Sequence, residues 1–254
     1  MKEASKSDLS ILFRGSWTPN QVSISEVASS RLIDTNLEKA AQNAWNMSLV
    51  QAAKNGSKLW DSEAYRYESA HMNAASLVLR FSTIPFSIRL GMNKHTRAIK
   101  SLGPKFATRG LYTSCLVSTT DKSFVFIEKS KKFFTNKKYS WIGGILSKSE
   151  AILTSGSDLF EATKKEISEE LGLTTNHIVS LLLRTGYLTD NWNVCLLFEA
   201  SLSLTKTELT ARFMQKNDGE AKNLLYISYD QIKKKEYDVF EPKDQVKFSI
   251  LRAS

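Results

Sequence analysis

The chain has 254 residues, 42% of them hydrophobic and 24% charged, a balance expected of a soluble globular protein and not of a disordered polyelectrolyte. No apolar run approaches the roughly 18 residues of a membrane span, and Met1–Asp8 lacks the apolar segment of a secretory leader. A cytoplasmic protein, with the nucleus also open, is therefore expected; the net charge of +9 favours anionic partners without choosing among them.

In chain order, Ser10–Phe13 and Val22–Ile24 are short apolar runs that predict strands. Asp34 to Asn36 offer a cap for a helix over residues 37–54, stopped by Asn55-Gly56. Leu77-Val78-Leu79-Arg80-Phe81 predicts a strand. Leu111–Ser118 and Phe124–Lys129 predict two more, joined by a hairpin at Thr119–Lys122. Trp141-Ile142-Gly143-Gly144 then leads through a long polar loop into an acidic helix. Ile178–Leu188 and Val194–Leu204 read as long strands around Thr189-Asp190-Asn191. A helix over Lys206–Met214, a strand at Leu224–Ile227 and a last helix over Pro242–Leu251 complete the chain.

Helices interspersed with mostly antiparallel strands predict an α/β sandwich rather than a doubly wound parallel sheet. No repeat, low-complexity tract or Pro-rich linker marks a domain boundary. Cys115 and Cys195 both fall in strand-like apolar runs, which reads as buried free thiols in a reducing compartment rather than a disulfide. Positive charge concentrates in Lys129, Lys131, Lys132, Lys137 and Lys138, and again in Lys233-Lys234-Lys235. Interleaved with Phe133, Phe134 and Tyr139, the first cluster could grip nucleic acid through phosphates and stacking. A solvated loop between strands is the preferred reading, so nucleic acid is not expected as a partner.

Chemistry concentrates in Lys165-Glu166-Ile167-Ser168-Glu169-Glu170-Leu171-Gly172-Leu173. Ser157 or Asp158 caps this helix in the reading from sequence, with Asp158 and Glu161 in a capping-box spacing. At about 100° per residue, Phe160, Thr163, Ile167 and Leu171 share a face that should pack on a sheet. Glu166 and Glu170 lie one turn apart beside that face, with Glu169 further round. Hard oxygen ligands so spaced suit Mg²⁺ or Mn²⁺, ions that keep several waters and bridge to substrate phosphates. The same pattern also describes a solvated amphipathic helix.

This segment resembles the Nudix box, G-x5-E-x7-R-E-U-x-E-E-x-G-U with U aliphatic. Glu166, Ile167, Glu169, Glu170, Gly172 and Leu173 stand in register, with Lys165 in place of the arginine. Counting back from Lys165 puts Ser157 at the first glutamate, and the loop after Gly143-Gly144 is longer than usual. This pattern is similar to the UDP-glucose pyrophosphatase group of the Nudix superfamily. Upstream, Ala44-Trp45, Leu59-Trp60-Asp61 and Tyr65-Arg66-Tyr67 resemble that group's Trp-containing helix and Phe-Arg strand. Leu77–Phe81 leading to Leu90-Gly91-Met92-Asn93 resembles its next strand and Gly-Thr-Asn turn. Gly219-Glu220 before Leu224–Ile227 resembles its later acidic loop.

The resemblance implies a Nudix-type α/β/α sandwich with a mixed, largely antiparallel sheet. Residues 1–105 would be a β-rich extension packed on a hydrolase core of residues 106–254. It implies Mg²⁺-dependent hydrolysis of UDP-glucose or UDP-galactose to UMP and sugar 1-phosphate. Glu166 and Glu170 would be metal ligands assisted by Glu169, Glu220 a further ligand or general base, and Arg66 and Arg80 contacts to substrate charge. Two departures weaken the match: Lys165 lacks arginine's forked donors, and Ile145-Leu146-Ser147-Lys148 replaces a His-Pro-Glu-Pro-like turn. A Nudix-fold nucleotide- or partner-binding module, or an RNA-directed Nudix enzyme, are the alternatives. His71, His95 and His177 are isolated and receive no role.

Overall fold

Two sheets organise the chain. The computed structural model describes residues 10–56, 58–73, 75–129, 139–216, 221–234, 240 and 247–248. Among these, the strands are β1 (Ser10–Trp17), β2 (Val22–Glu26), β3 (Glu63–Met72), β4 (Leu77–Pro85), β5 (Leu111–Ser118), β6 (Ser123–Lys129), β7 (Ile178–Leu188), β8 (Val194–Leu202) and β9 (Ala221–Ser228). The helices are α1 (Thr35–Lys54), α2 (Phe86–Met92), α3 (Thr96–Leu102), α4 (Gly156–Leu171), α5 (Lys206–Lys216) and α6 (Tyr229–Lys233). A six-stranded sheet runs β1-β7-β8-β5-β6-β9, and a three-stranded sheet runs β2-β4-β3. Only the β5–β8 and β2–β4 pairs among the described strands are parallel, so the expected mixed, largely antiparallel α/β architecture is observed.

Burial on both faces explains the apolar runs of the two central strands. Leu111, Cys115 and Val117 of β5 and Val194, Leu196, Phe198 and Ala200 of β8 enter the main core. That core is closed by Leu159, Phe160, Ile167 and Leu171 of α4, by Leu209 and Phe213 of α5, and by Tyr65, Leu77, Leu79 and Phe81 of the smaller sheet. Leu116, Cys195 and Leu197 turn to the opposite face and meet Trp141, Tyr187, Ile232, Phe240 and Phe248. Both cysteines are buried free thiols. No helix among the described residues is long and apolar enough to cross a membrane.

Several boundaries differ from the sequence reading. Asp34 caps α1 as expected, accepting from the Leu37 N–H at 2.8 Å. Leu90-Gly91-Met92-Asn93 is not a turn after a strand; it ends the helix α2, with Asn93 as its C-cap. Ile88 and Met92, four residues apart, face the same small core as Leu37 and Ala41 of α1, and that tertiary contact selects the helix. Gly91 makes the crossing possible, since a Cβ there would stand 2.1 Å from the Ala41 carbonyl oxygen. The acidic helix α4 begins earlier than expected. Ser155, not Ser157 or Asp158, is the N-cap, and the capping box pairs Ser155 with Asp158 rather than Asp158 with Glu161. The Thr154 and Ser155 N–H groups donate to Asp158 at 2.9 and 2.8 Å, and the Asp158 N–H donates to Ser155 Oγ. Lys131, Lys132, Lys137, Lys138, Phe133, Phe134, Lys235 and most of the expected helix over 242–251 lie outside the described residues.

Two outcomes follow from these contacts. Gly91→Ala should lower stability by about 1–3 kcal/mol, measured by chemical denaturation, because the atoms the new Cβ would strike are backbone and cannot swing aside. The Asp158 carboxyl is pushed down to about 2 by the Thr154 hydroxyl, then by the Thr154 N–H and the Ser155 donors. A depressed pKa adds stability that is complete above the unfolded carboxyl's range and is lost as pH falls toward 2. The melting-temperature gap between the wild type and Asp158→Asn should therefore be widest near neutral pH and close between about pH 4 and pH 2.

Candidate functional site

The buried face of α4 determines where its carboxylates emerge. Phe160, Thr163, Ile167 and Leu171 are all buried, as the helical period requires. The helix ends at Gly172, whose φ of 65° is the left-handed conformation that glycine adopts without strain. Glu166 and Glu170, flanking the buried stripe, come to rest on Gly143-Gly144, between the isolated bridges that Ile142 and Ile145 make to β5. The Gly143 N–H donates to Glu170 Oε2 at 2.8 Å. A Cβ on Gly144 would lie 2.4 Å from Glu166 Oε2, so that carboxylate occupies the space a side chain would take. Gly143, at φ 137°, is pressed on Thr113, where a Cβ would meet the carbonyl oxygen at 2.3 Å. Two carboxylates one turn apart thus touch adjacent residues of one backbone segment.

Glu169 is placed differently. Its side chain is 59% exposed and pairs with Lys165 Nζ at 3.8 Å. Lys165 also reaches Glu150 Oε2 at 3.3 Å, so the lysine in the arginine position bridges two carboxylates as a point charge. Glu150 and Glu166 share a cleft of about 270 Å³ whose walls include Trp60, Phe86, Ile145 and Ser147.

The loop between Gly144 and Ser155 is held by the smaller sheet. Tyr65 N–H donates to the Leu146 carbonyl and Lys148 N–H to the Glu63 carbonyl. The Tyr65 hydroxyl accepts from Leu153 N–H at 2.9 Å and donates to the Ala151 carbonyl at 3.1 Å. Lys148 Nζ lies 2.8 Å from Glu26 and 3.6 Å from Glu63.

Arg66 and Arg80 do not join Glu166 in the cleft. Arg66 is 1% exposed and ion-paired with Glu68. Burial opposes the charged form of Glu68, yet hydrogen bonds from Arg66, Ser30 and Ser82 outweigh it and hold the carboxyl below its usual range. Arg80 is exposed on β4, in register with Ser25 of β2 and Ser69 of β3. Glu220 lies outside the described residues. Ser157 is exposed on the first turn of α4, and Glu150 is the loop carboxylate that lines the cleft. Counting forward from Gly144 finds it, since Glu150 ends a five-residue gap; counting back from Lys165 across the lengthened loop does not.

Among the described residues, no three His, Cys, Asp or Glu side chains gather as a metal cage. Magnesium held mainly by water and phosphate oxygens needs only one or two protein carboxylates. Glu166 and Glu170, both anchored on the glycine pair, fit that mode; an all-protein structural site does not.

No protein-family profile matches the chain, and no curated protein matches it by sequence. Solved structures do align with part of it. A Nudix hydrolase from Nitrosomonas europaea is 16% identical, with a TM-score of 0.35, and covers 56% of this chain and 88% of its own. A MutT protein from Methanosarcina mazei Go1 is 14% identical, with a TM-score of 0.38, covering 56% and 93%. DR0079 from Deinococcus radiodurans is 12% identical, with a TM-score of 0.38, covering 56% and 81%.

Gly144→Ala tests the carboxylate seat. The atoms it would strike are the end of a flexible side chain, so Glu166 should be displaced while the fold survives. The variant should melt within about 3 °C of the wild type, a shift of about 1 kcal/mol or less. It should also lose any stabilisation that added Mg²⁺ confers on the wild type.

Proposed function

We propose that the protein is a Nudix-type hydrolase that cleaves the diphosphate of a UDP-sugar, UDP-glucose or UDP-galactose, to UMP and sugar 1-phosphate. In this reading residues 106–254 form the hydrolase core and residues 1–105 an extension that supplies β1 and braces the site loop. The observation that carries it is the seating of Glu166 and Glu170 on Gly143-Gly144, with Glu166 lining a cleft. The collinear resemblance to the UDP-glucose pyrophosphatase group supports the choice of substrate.

Glu166 and Glu170 would hold Mg²⁺ or Mn²⁺, which when bound neutralises the diphosphate and lowers the pKa of a coordinated water. The chain's own residues orient and exclude. The Gly143 N–H fixes one oxygen of Glu170, and the bare Gly144 lets Glu166 approach the strand. Lys165, between Glu150 and Glu169, offsets their mutual repulsion. Glu150, which lines the same cleft as Glu166, would accept a proton from an attacking water, a role for which Glu169 and Glu220 are the other candidates. Trp60, 64% exposed at the cleft, offers an aromatic face on which uracil can stack.

Purified protein with Mg²⁺ should release UMP from UDP-glucose. Glu170→Gln and Glu166→Gln should each lower kcat by about 100-fold or more, the scale on which losing one electrostatic stabiliser acts. Absence of UMP release from the wild type would sink the hydrolase reading. Binding of UDP-glucose without turnover would instead identify a nucleotide-binding module.

A further inference from the structure

Arg89 is a buried charge that the reading above does not use. It is 3% exposed on α2, and its Nη1 is buried with no hydrogen-bond partner. Among the described residues no carboxylate forms an ion pair with it. Burial pulls its pKa down to about 10, partly opposed by the Tyr112 phenol, which leaves it cationic at neutral pH. Its guanidinium rests on Gly110, where a Cβ would be 2.3 Å from Nε and 3.0 Å from Cζ. Gly110 does not adopt a positive φ, so its missing side chain provides room rather than conformational freedom.

The surroundings are cationic. Arg66 stands opposite Gly110 across an isolated antiparallel bridge, and Arg109 precedes it with a left-handed φ of 46°. The Arg109 guanidinium sits 4.8 Å above the Tyr67 ring. Glu68, the carboxylate near Arg66 and Arg109, already accepts from Arg66, Ser30 and Ser82. Arg66 and Arg109 therefore share one committed carboxylate, and neither it nor another described carboxylate pairs with Arg89. Arg89 does not itself line the cleft, but two neighbours connect it with that wall. Phe86, one helical turn earlier on α2, lines it, and Tyr112 bridges to the cleft residue Ile145.

A buried cation without a partner destabilises the fold that carries it. A guanidinium fork with one buried donor unmet can meet the oxygens of a phosphate group. We propose that Arg89 anchors an oxyanion site behind the cleft wall that takes a phosphate group of the ligand. The site rests on the hydrolase reading only for the ligand's identity, and it needs neither metal nor turnover.

Metal-free thermal melts and calorimetry with inorganic phosphate, pyrophosphate, UMP and uridine test this, with EDTA present. The wild type should be stabilised by the phosphate-bearing probes and not by uridine. UMP acting more strongly than equimolar phosphate places a nucleotide's phosphate at the site; equal shifts place inorganic phosphate there. Arg89→Met should melt at or above the wild type without ligand and bind pyrophosphate about tenfold more weakly or worse. Arg89→Lys keeps the charge but not the fork, and should also lose affinity. The proposal is overturned if no phosphate-bearing probe stabilises the wild type, if both variants bind pyrophosphate as the wild type does, or if Arg89→Met melts lower without ligand. A protein that binds pyrophosphate through Arg89 yet releases no UMP refutes the hydrolase reading alone; a hydrolase whose affinity ignores Arg89 refutes this one alone.

Discussion

Two carboxylates one helical turn apart can lean on a neighbouring backbone segment only where that segment presents no side chains. Gly143-Gly144 is that place, and much of the site follows from it. The glycine pair lets α4 bring Glu166 against backbone and gives Glu170 an N–H to accept. The Gly143 N–H, fixed in the backbone, stabilises the charge on one of the two acids. The buried stripe Phe160-Thr163-Ile167-Leu171 sets the rotation of the helix, and so aims the acids.

The site loop depends on a part of the chain remote in sequence. Residues 145–153 carry Glu150 toward the cleft, and they are tied down by β3 through backbone bonds and the Tyr65 hydroxyl. Lys148 adds ion pairs to Glu26 and Glu63, both exposed, which contribute little on their own. The smaller sheet therefore acts as a brace. Its burial of Tyr65, Leu77, Leu79 and Phe81 in the main core makes that brace stiff.

Legibility varied with the range of the interaction responsible. The α4 period, the hairpin at Thr119–Lys122 and the long apolar strands were readable, because each is a local pattern repeated along the chain. The cap of α4, read as Ser157 or Asp158, was misplaced by two or three residues, since Ser155-x-x-Asp158 and Asp158-x-x-Glu161 offer the same spacing. Gly156 helps decide between them by packing its bare Cα on the Pro19 and Val22 carbonyls. Helix α2 was read as a turn because Ile88 and Met92 gain their meaning only from α1. His95 and His177, given no role from sequence, bond to the Ala40 carbonyl and to Thr174.

By itself, the sequence determined an α/β chain with an acidic helix of defined buried face and a glycine pair preceding it. Periodicity, capping residues and glycines are short-range signals, so one chain carries them without reference to its fold. Only the tertiary structure decided which acids sit at the cleft, that Arg66 is committed to Glu68, and that Arg89 lies buried against Gly110 with no carboxylate paired to it among the described residues. Burial and pairing of charge are properties of contacts between distant segments, and no spacing in the sequence encodes them.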